Sequence, residues 1–156
     1  MYTYTKRFCA LILAVLCLAG LAGCSKKPAA PDAGFSQMVN PLVEVASIQE
    51  MEEKLGYSVP VLEKAVAAYI VLVIDGKADT GRIHYADGTV FNMKKGTGDI
   101  SGIYGGTATG EQTIGGVTVC FYTYEGQRYA TWENGGFAYS LSDCPTLEAD
   151  VAALIG

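Results

Sequence analysis

Residues 117–141 read VTVCFYTYEGQRYATWENGGFAYSL. Three short runs of β-branched and aromatic residues, 117–124, 128–133 and 137–141, are separated by the turn sequences Glu-Gly-Gln and Asn-Gly-Gly. β-Branched and aromatic side chains favour strands, and glycine with asparagine favours tight reversals between strands. The stretch therefore predicts a three-stranded antiparallel meander, and with it a fold built on a sheet.

Three more strands are predicted earlier in the chain. Residues 67–74 are apolar without alternation, which is typical of a strand buried on both faces. Residues 82–86 and 89–94 flank Asp87-Gly88, a dipeptide that favours a two-residue hairpin turn. The glycine-rich segment 95–111 shows no hydrophobic period and is predicted to be mostly loop.

A helix is predicted on each side of these strands. Ser47 and Glu50 have the spacing of a capping box, and the apolar residues that follow share one helical face, which predicts a helix over 47–55. Thr146 is the predicted N-cap of a closing helix with one apolar side. The sequence thus predicts a single α+β domain over residues 40–156. Its mostly antiparallel sheet would have about six strands, with a short N-terminal helix and a C-terminal helix packed on it.

The N-terminal segment has the features of a bacterial export signal. Lys6 and Arg7 precede an apolar run, residues 8–19, and the sequence Leu-Ala-Gly leads directly into Cys24. This ending resembles the lipobox of bacterial lipoproteins. The resemblance implies that residues 1–23 are removed and that the Cys24 thiol carries a diacylglyceryl group.

The composition fits a lipid-anchored protein outside the cell membrane. The chain has 16 acidic and 11 basic residues, and loss of Lys6 and Arg7 would leave the mature chain with a net charge near −7. Such a charge disfavours nucleic acid and anionic lipid surfaces, so the membrane would be reached through the lipid on Cys24 alone. Residues 24–39 combine that cysteine with a proline- and alanine-rich stretch, which predicts a flexible tether.

Several short segments recur in the same order in a known group of bacterial domains. They are NPLVEV (40–45), EKLGY (53–57), IHYADG (83–88), DISG (99–102), ATWENG (130–135) and YS (139–140). Across roughly residues 40–155, the chain resembles an uncharacterised extracytoplasmic domain family. That family occurs in Gram-positive lipoproteins and in membrane proteins related to anti-sigma factors. The resemblance implies the compartment and the fold but no activity.

The sequence offers little for catalysis. His84 is the one histidine, and a two-residue turn would pair it across the hairpin with Phe91, as an ordinary strand residue. One histidine and two distant cysteines give no metal-ligand spacing, so no metal, cofactor or enzymatic activity is expected. Cys120 and Cys144 remain after processing, and they are either a disulfide or two free thiols.

The expected binding residues lie in a loop and on one face of a strand. They are Asp99, Ser101, Tyr104, Tyr122 and Tyr124. Turn residues beside amphipathic aromatics suit a protein, glycan or lipid ligand. The alternative is that Asp99 and Ser101 only satisfy turn backbone groups, and that a helix covers the tyrosine face.

These features predict a non-catalytic binding or sensing module at the outer face of the cell membrane. Two alternatives remain at this point. Ser101-Gly102 followed by Tyr104 resembles a loop of small lipoproteins that inhibit lysozymes, which would make the chain an inhibitor of an envelope hydrolase. A concave sheet that holds an acyl chain would instead make it a lipid carrier.

Overall fold

The computed structural model describes residues 40–156, so the predicted signal sequence, Cys24 and the tether lie outside the described residues. In chain order the elements are β1 (Leu42–Val45), α1 (Ile48–Leu55), β2 (Val66–Ile74), β3 (Lys77–Tyr85), β4 (Val90–Lys95), β5 (Thr107–Ile114), β6 (Val117–Tyr124), β7 (Gln127–Asn134), β8 (Phe137–Ser142) and α2 (Leu147–Ile155). None of the helices in this part of the chain is long and apolar enough to span a membrane.

All eight strands form one antiparallel sheet in the order β1-β2-β3-β4-β8-β7-β6-β5. The sheet consists of two four-stranded meanders, β1–β4 and β5–β8, joined by the pairing of β4 with β8. Because β5 lies at the far edge, the chain must cross from β4 over β8, β7 and β6 to reach it. We call this connection, residues 96–106, the crossover loop.

The prediction of a sheet-based α+β fold with two helices is confirmed, but the sheet has eight strands rather than about six. The two additional strands are its edges, β1 and β5. β5 reads TATGEQTI, and all but its last residue is exposed. A strand that covers no core has no need of alternating apolar residues, so periodicity could not reveal it.

One face of the sheet carries the hydrophobic core, and we call it the core face. α1 packs on β2 and β3, and α2 packs on β7 and β8. Met51 of α1 and Val151 of α2 are fully buried in the same hydrophobic cluster as Phe91 and Leu141 of the central strands. Both helices therefore cover the same side of the sheet.

The predicted N-cap residues of the two helices behave differently in the structure. The N-cap bond of α1 is present, since the Glu50 N–H donates to Ser47 Oγ at 3.2 Å. The return bond of the capping box is displaced by one residue, because Glu50 Oε2 accepts from the Ala46 N–H at 2.9 Å rather than from Ser47. At α2, however, the Thr146 side chain makes no capping hydrogen bond. Its hydroxyl donates instead to Asp150 Oδ2 at 2.8 Å, the same oxygen that pairs with Lys64.

Two details of β2, β3 and β4 differ from the prediction. β2 is not buried on both faces, because it lies beside the short edge strand β1 and only Val71 is fully buried. The hairpin between β3 and β4 pairs His84 with Val90, not with Phe91. The Tyr85 N–H donates to the Thr89 carbonyl, so three residues rather than two form the loop, and Gly88 adopts φ 94°.

That one-residue change in register decides which face His84 occupies. Cross-strand partners share a face, so Ile83 and Phe91 point together into the core. His84 then points to the opposite face of the sheet, which we call the second face.

Candidate functional site

Polar residues cross the middle of the second face in one row of cross-strand partners. In order across the sheet they are Arg82, Asn92, Ser140, Thr131, Cys120 and Glu111. Arg82 Nε donates to Asn92 Oδ1 at 2.6 Å, and Asn92 Nδ2 donates to Ser140 Oγ at 2.9 Å. Asn92 and Ser140 are almost completely buried, so their mutual hydrogen bond satisfies polar groups that water does not reach.

The crossover loop covers this polar row. Gly106 lies directly against the Tyr129 hydroxyl, and the Gly98 N–H donates to Glu133 Oε1 at 2.7 Å. Tyr129 stacks on Tyr122 with ring centroids 5.0 Å apart. The second face is therefore covered by the crossover loop, and the alternative in which a helix covers the tyrosine face is wrong.

The polar residues of the crossover loop organise its own backbone. Asp99 Oδ1 accepts from the Ser101 N–H at 2.8 Å, and Ser101 Oγ accepts from the Ile103 N–H at 3.1 Å. These two local turns leave Tyr104 projecting from the loop with 89% of its surface exposed. An exposed large aromatic on an ordered loop is the kind of side chain that anchors binding partners.

A cleft of about 490 Å³ opens between the crossover loop and the second face, and we call it the crossover cleft. Its volume falls within the range of small-molecule sites in proteins. Its lining is Arg82, His84, Val90, Asn92, Ser101, Gly102, Ile103, Tyr104, Tyr124, Gln127, Ser142 and Asp143. Three of the five predicted binding residues, Ser101, Tyr104 and Tyr124, thus meet in one place.

The other two predicted residues lie in a separate depression. Asp99 and Tyr122 line a hollow of about 390 Å³ together with Cys120 and Thr131. The predicted surface is therefore divided between two concavities, because the crossover loop passes over the sheet between them.

His84 belongs to the crossover cleft, which the sequence reading did not anticipate. Its Nε2 atom is buried and has no hydrogen-bond partner among the described residues. A buried imidazole nitrogen without a partner is uncommon and unfavourable. The sequence identifies His84 as the one histidine, but it does not show which face of the sheet this residue occupies. That face depends on the hairpin register, and the Asp87-Gly88 dipeptide predicts the wrong register.

Arg82 and Asp143 supply opposite charges to the same cleft. Arg82 is half-buried, and no carboxylate of residues 40–156 lies within salt-bridge distance of its guanidinium. Asp143 lines the cleft but does not pair with Arg82. The cleft thus contains a cation whose outer nitrogen atoms are not paired with any carboxylate of residues 40–156.

A second cluster of ionisable groups ties α2 to the β3–β4 hairpin. Lys64 Nζ lies 2.8 Å from Asp87 Oδ2 and 2.6 Å from Asp150 Oδ2. The hydrogen bond from Lys64 lowers the pKa of Asp87 to about 2. Burial acts most strongly on Asp150 and raises its pKa, but hydrogen bonds from Cys144, Lys64 and Thr146 together outweigh it and leave the pKa lowered. All the charges in this cluster are paired, which indicates a structural role.

Cys120 and Cys144, the two cysteines of residues 40–156, are free thiols, so the disulfide between them is not formed. The two residues occupy different environments. Cys120 lies beside Glu111 near one edge of the sheet, whereas the Cys144 thiol donates to Asp150 Oδ2 at 2.7 Å. Burial raises the pKa of both thiols, and neighbouring carboxylates add to the rise, so neither is an activated nucleophile.

Within residues 40–156, no three His, Cys, Asp or Glu side chains are grouped so that they could hold a metal ion. Comparison with known proteins gives no relative: no family model, curated protein or solved structure matches the chain.

Proposed function

We propose that this protein is a lipoprotein anchored to the outer face of the cell membrane through Cys24, and that its domain is a non-catalytic binding or sensing module. The lipobox and the export signal support the location. The ligand would be an envelope protein, glycan or lipid component, and it would bind in the crossover cleft.

One observation carries the proposal of a binding site. The crossover cleft brings polar groups with unused hydrogen-bonding capacity, Arg82 and His84, next to the exposed aromatic ring of Tyr104. Pockets that bind small molecules combine apolar and aromatic walls with a few convergent polar groups. The same cleft holds one histidine and no activated nucleophile, which favours binding over turnover.

A second candidate is an inhibitor of an envelope hydrolase. It is favoured by the exposure of Tyr104, since 89% of that side chain is accessible at the tip of the crossover loop. In this case the loop would enter the cleft of another protein. The lipid-carrier alternative has no comparable support.

Capture from envelope material tests the proposal. The full chain in mild detergent is immobilised and challenged with peptidoglycan fragments, membrane lipids and envelope extract. Loss of a central aromatic anchor typically costs about 2 kcal/mol, so Tyr104→Ala and Tyr124→Ala should each weaken capture by roughly 30-fold. Val61→Ala is the matched control, because Val61 is also an exposed apolar residue and lies outside the cleft.

Full capture by both tyrosine variants would show that the ligand binds elsewhere. Inhibition of lysozyme by the wild-type chain, lost in Tyr104→Ala, would select the inhibitor. Turnover of any envelope component that is abolished in His84→Ala would contradict the non-catalytic assignment.

A further inference from the structure

We infer that the ligand of the crossover cleft carries a carboxylate group, and that Arg82 binds it. The inference rests on the proposed function, because it names the chemistry of a ligand in that same cleft. It is carried by the geometry of Arg82 and by the distribution of charge around it.

The Arg82 guanidinium is held in place while its outer nitrogens are left unused. Nε donates to Asn92 Oδ1 at 2.6 Å, and Asn92 is in turn fixed by Ser140 at 2.9 Å. Asn92 is buried, so this support is rigid. A guanidinium anchored through Nε presents its two Nη groups as a planar fork, and a carboxylate matches that fork with two parallel hydrogen bonds.

The two arginines of residues 40–156 are paired differently. Arg128, which is more exposed, pairs with Glu148 of α2. No carboxylate of residues 40–156 pairs with Arg82, and the same is true of Lys77, Lys94 and Lys95. Arg82 differs from these lysines because it lines the crossover cleft, where its outer nitrogens can donate to a carboxylate from outside the protein.

Asp143 adds a negative charge to the lining of the same cleft. Its repulsion of an anion offsets part of the attraction by the Arg82 charge, so recognition depends on the paired hydrogen bonds that a planar carboxylate makes with the guanidinium fork. Tyr104 and Tyr124 are available for the apolar or ring portion of the molecule.

His84 contributes to this site indirectly. It lies two residues from Arg82 on β3, so both side chains point to the second face, roughly 7 Å apart along the strand. The His84 Nε2 atom is buried, whereas the Arg82 side chain is only half-buried. Recognition of charge is therefore assigned to Arg82.

The experiment uses the full chain in detergent and two matched pairs of probes. N-acetylmuramic acid is compared with N-acetylglucosamine, and N-acetylalanine with N-acetylalaninamide. The sugars differ by the lactyl ether that carries the carboxylate, and the amino-acid derivatives differ by carboxylate against carboxamide. The two pairs distinguish a sugar acid from a peptide terminus. Binding is followed by NMR through the Arg82 Nε–Hε signal. We expect at least one carboxylate probe to bind with millimolar affinity. Its neutral analogue should bind at least about tenfold more weakly.

Substitutions show which residue is responsible for the carboxylate preference. Arg82→Gln should abolish the preference for the carboxylate. Arg82→Lys should retain part of it, because the charge remains while the fork is lost. Arg128→Gln should leave the preference unchanged, and Asp143→Asn should preserve or strengthen it. The NMR spectrum of each variant reports whether the fold is intact.

Equal binding of carboxylate and neutral probes, retention of the preference in Arg82→Gln, or no binding of any carboxylate probe at millimolar concentration would overturn the inference. The proposed function fails on a different result. If Tyr104→Ala still reduces capture from envelope material while no carboxylate preference exists, the cleft binds a neutral ligand and only the present inference is wrong.

Discussion

Replacement of Gly106 by alanine tests whether the crossover loop is pressed against the second face. Gly106 and Gly81 are the two glycines of residues 40–156 that do not have positive φ, so space rather than backbone conformation requires glycine there. A methyl group on Gly106 would overlap the Tyr129 hydroxyl and lie 2.8 Å from Tyr129 Cζ. Tyr129 is buried and stacked on Tyr122, so its ring has little freedom to move away.

The loop itself must therefore lift from the sheet. Overpacking of this kind typically costs about 1–3 kcal/mol, and the rigid neighbour places Gly106→Ala at about 2 kcal/mol or above. With a urea m-value of roughly 2 kcal/mol per molar, the midpoint of unfolding should fall by about 1 M. Fluorescence of Trp132 reports the transition, because this single tryptophan is 4% exposed in the folded domain.

Gly81→Ala is the matched control. Its methyl group would meet Leu55 Cδ1 at 2.8 Å and Met51 Sδ at 3.1 Å; Leu55 Cδ1 is the end of a half-buried side chain, and Met51 Sδ lies in a flexible thioether. We expect a loss below about 1 kcal/mol, because both groups can rotate aside. Replacement of glycine by alanine also lowers the conformational entropy of the unfolded chain, and this stabilising contribution is the same in both variants. Equal midpoints for Gly106→Ala and the wild type would refute the close approach of the crossover loop to Tyr129.

Three further outcomes are expected. Lys64→Met should reduce the loss of folding stability that occurs as the pH falls from about 4 to 2. With a folded-state pKa of about 2, below its ordinary 3.8, Asp87 stabilises the fold above pH 4 and loses that contribution as the pH falls towards 2. A steep acid limb that persists in the variant, measured by thermal unfolding across this range, would argue against the ion pair. Cys120 and Cys144 should both react with a thiol reagent after denaturation without reductant, and reduction should leave the melting temperature unchanged. Intact-mass analysis should find an acylated Cys24 at the mature N-terminus and none in Cys24→Ala, whereas an unmodified chain that starts elsewhere would contradict the lipid anchor.

The interior of the domain was readable from the sequence because burial imposes a pattern. Val119 and Phe121 alternate with Tyr122, and the structure places the first two in the core and the tyrosine on the second face. The helix over 48–55 was likewise visible from its cap and its apolar stripe. In each case the physical signal is local in the chain.

The candidate site was only partly readable, because its assembly is not local. Ser101 and Tyr104 were identified from residue type, but their meeting with Arg82 and His84 depends on the path of the crossover loop. That path follows from the pairing of β4 with β8, which brings distant segments together. The exposed edge strand β5, at which the loop ends, left no hydrophobic pattern in the sequence.

The sheet order also has a consequence for the kinetics of assembly. Within each meander, strands pair with their neighbours in the chain, and all of these pairs except β1–β2, which encloses α1, form by closure of short segments. The β4–β8 register, from Val90 with Ser142 to Lys95 with Phe137, requires the longest connection to close. Long-range pairing of this kind slows folding, so the joining of the two halves is the expected rate-limiting step. The crossover cleft exists only after that step, and a bound ligand should therefore slow the separation of the two halves rather than the opening of any single hairpin.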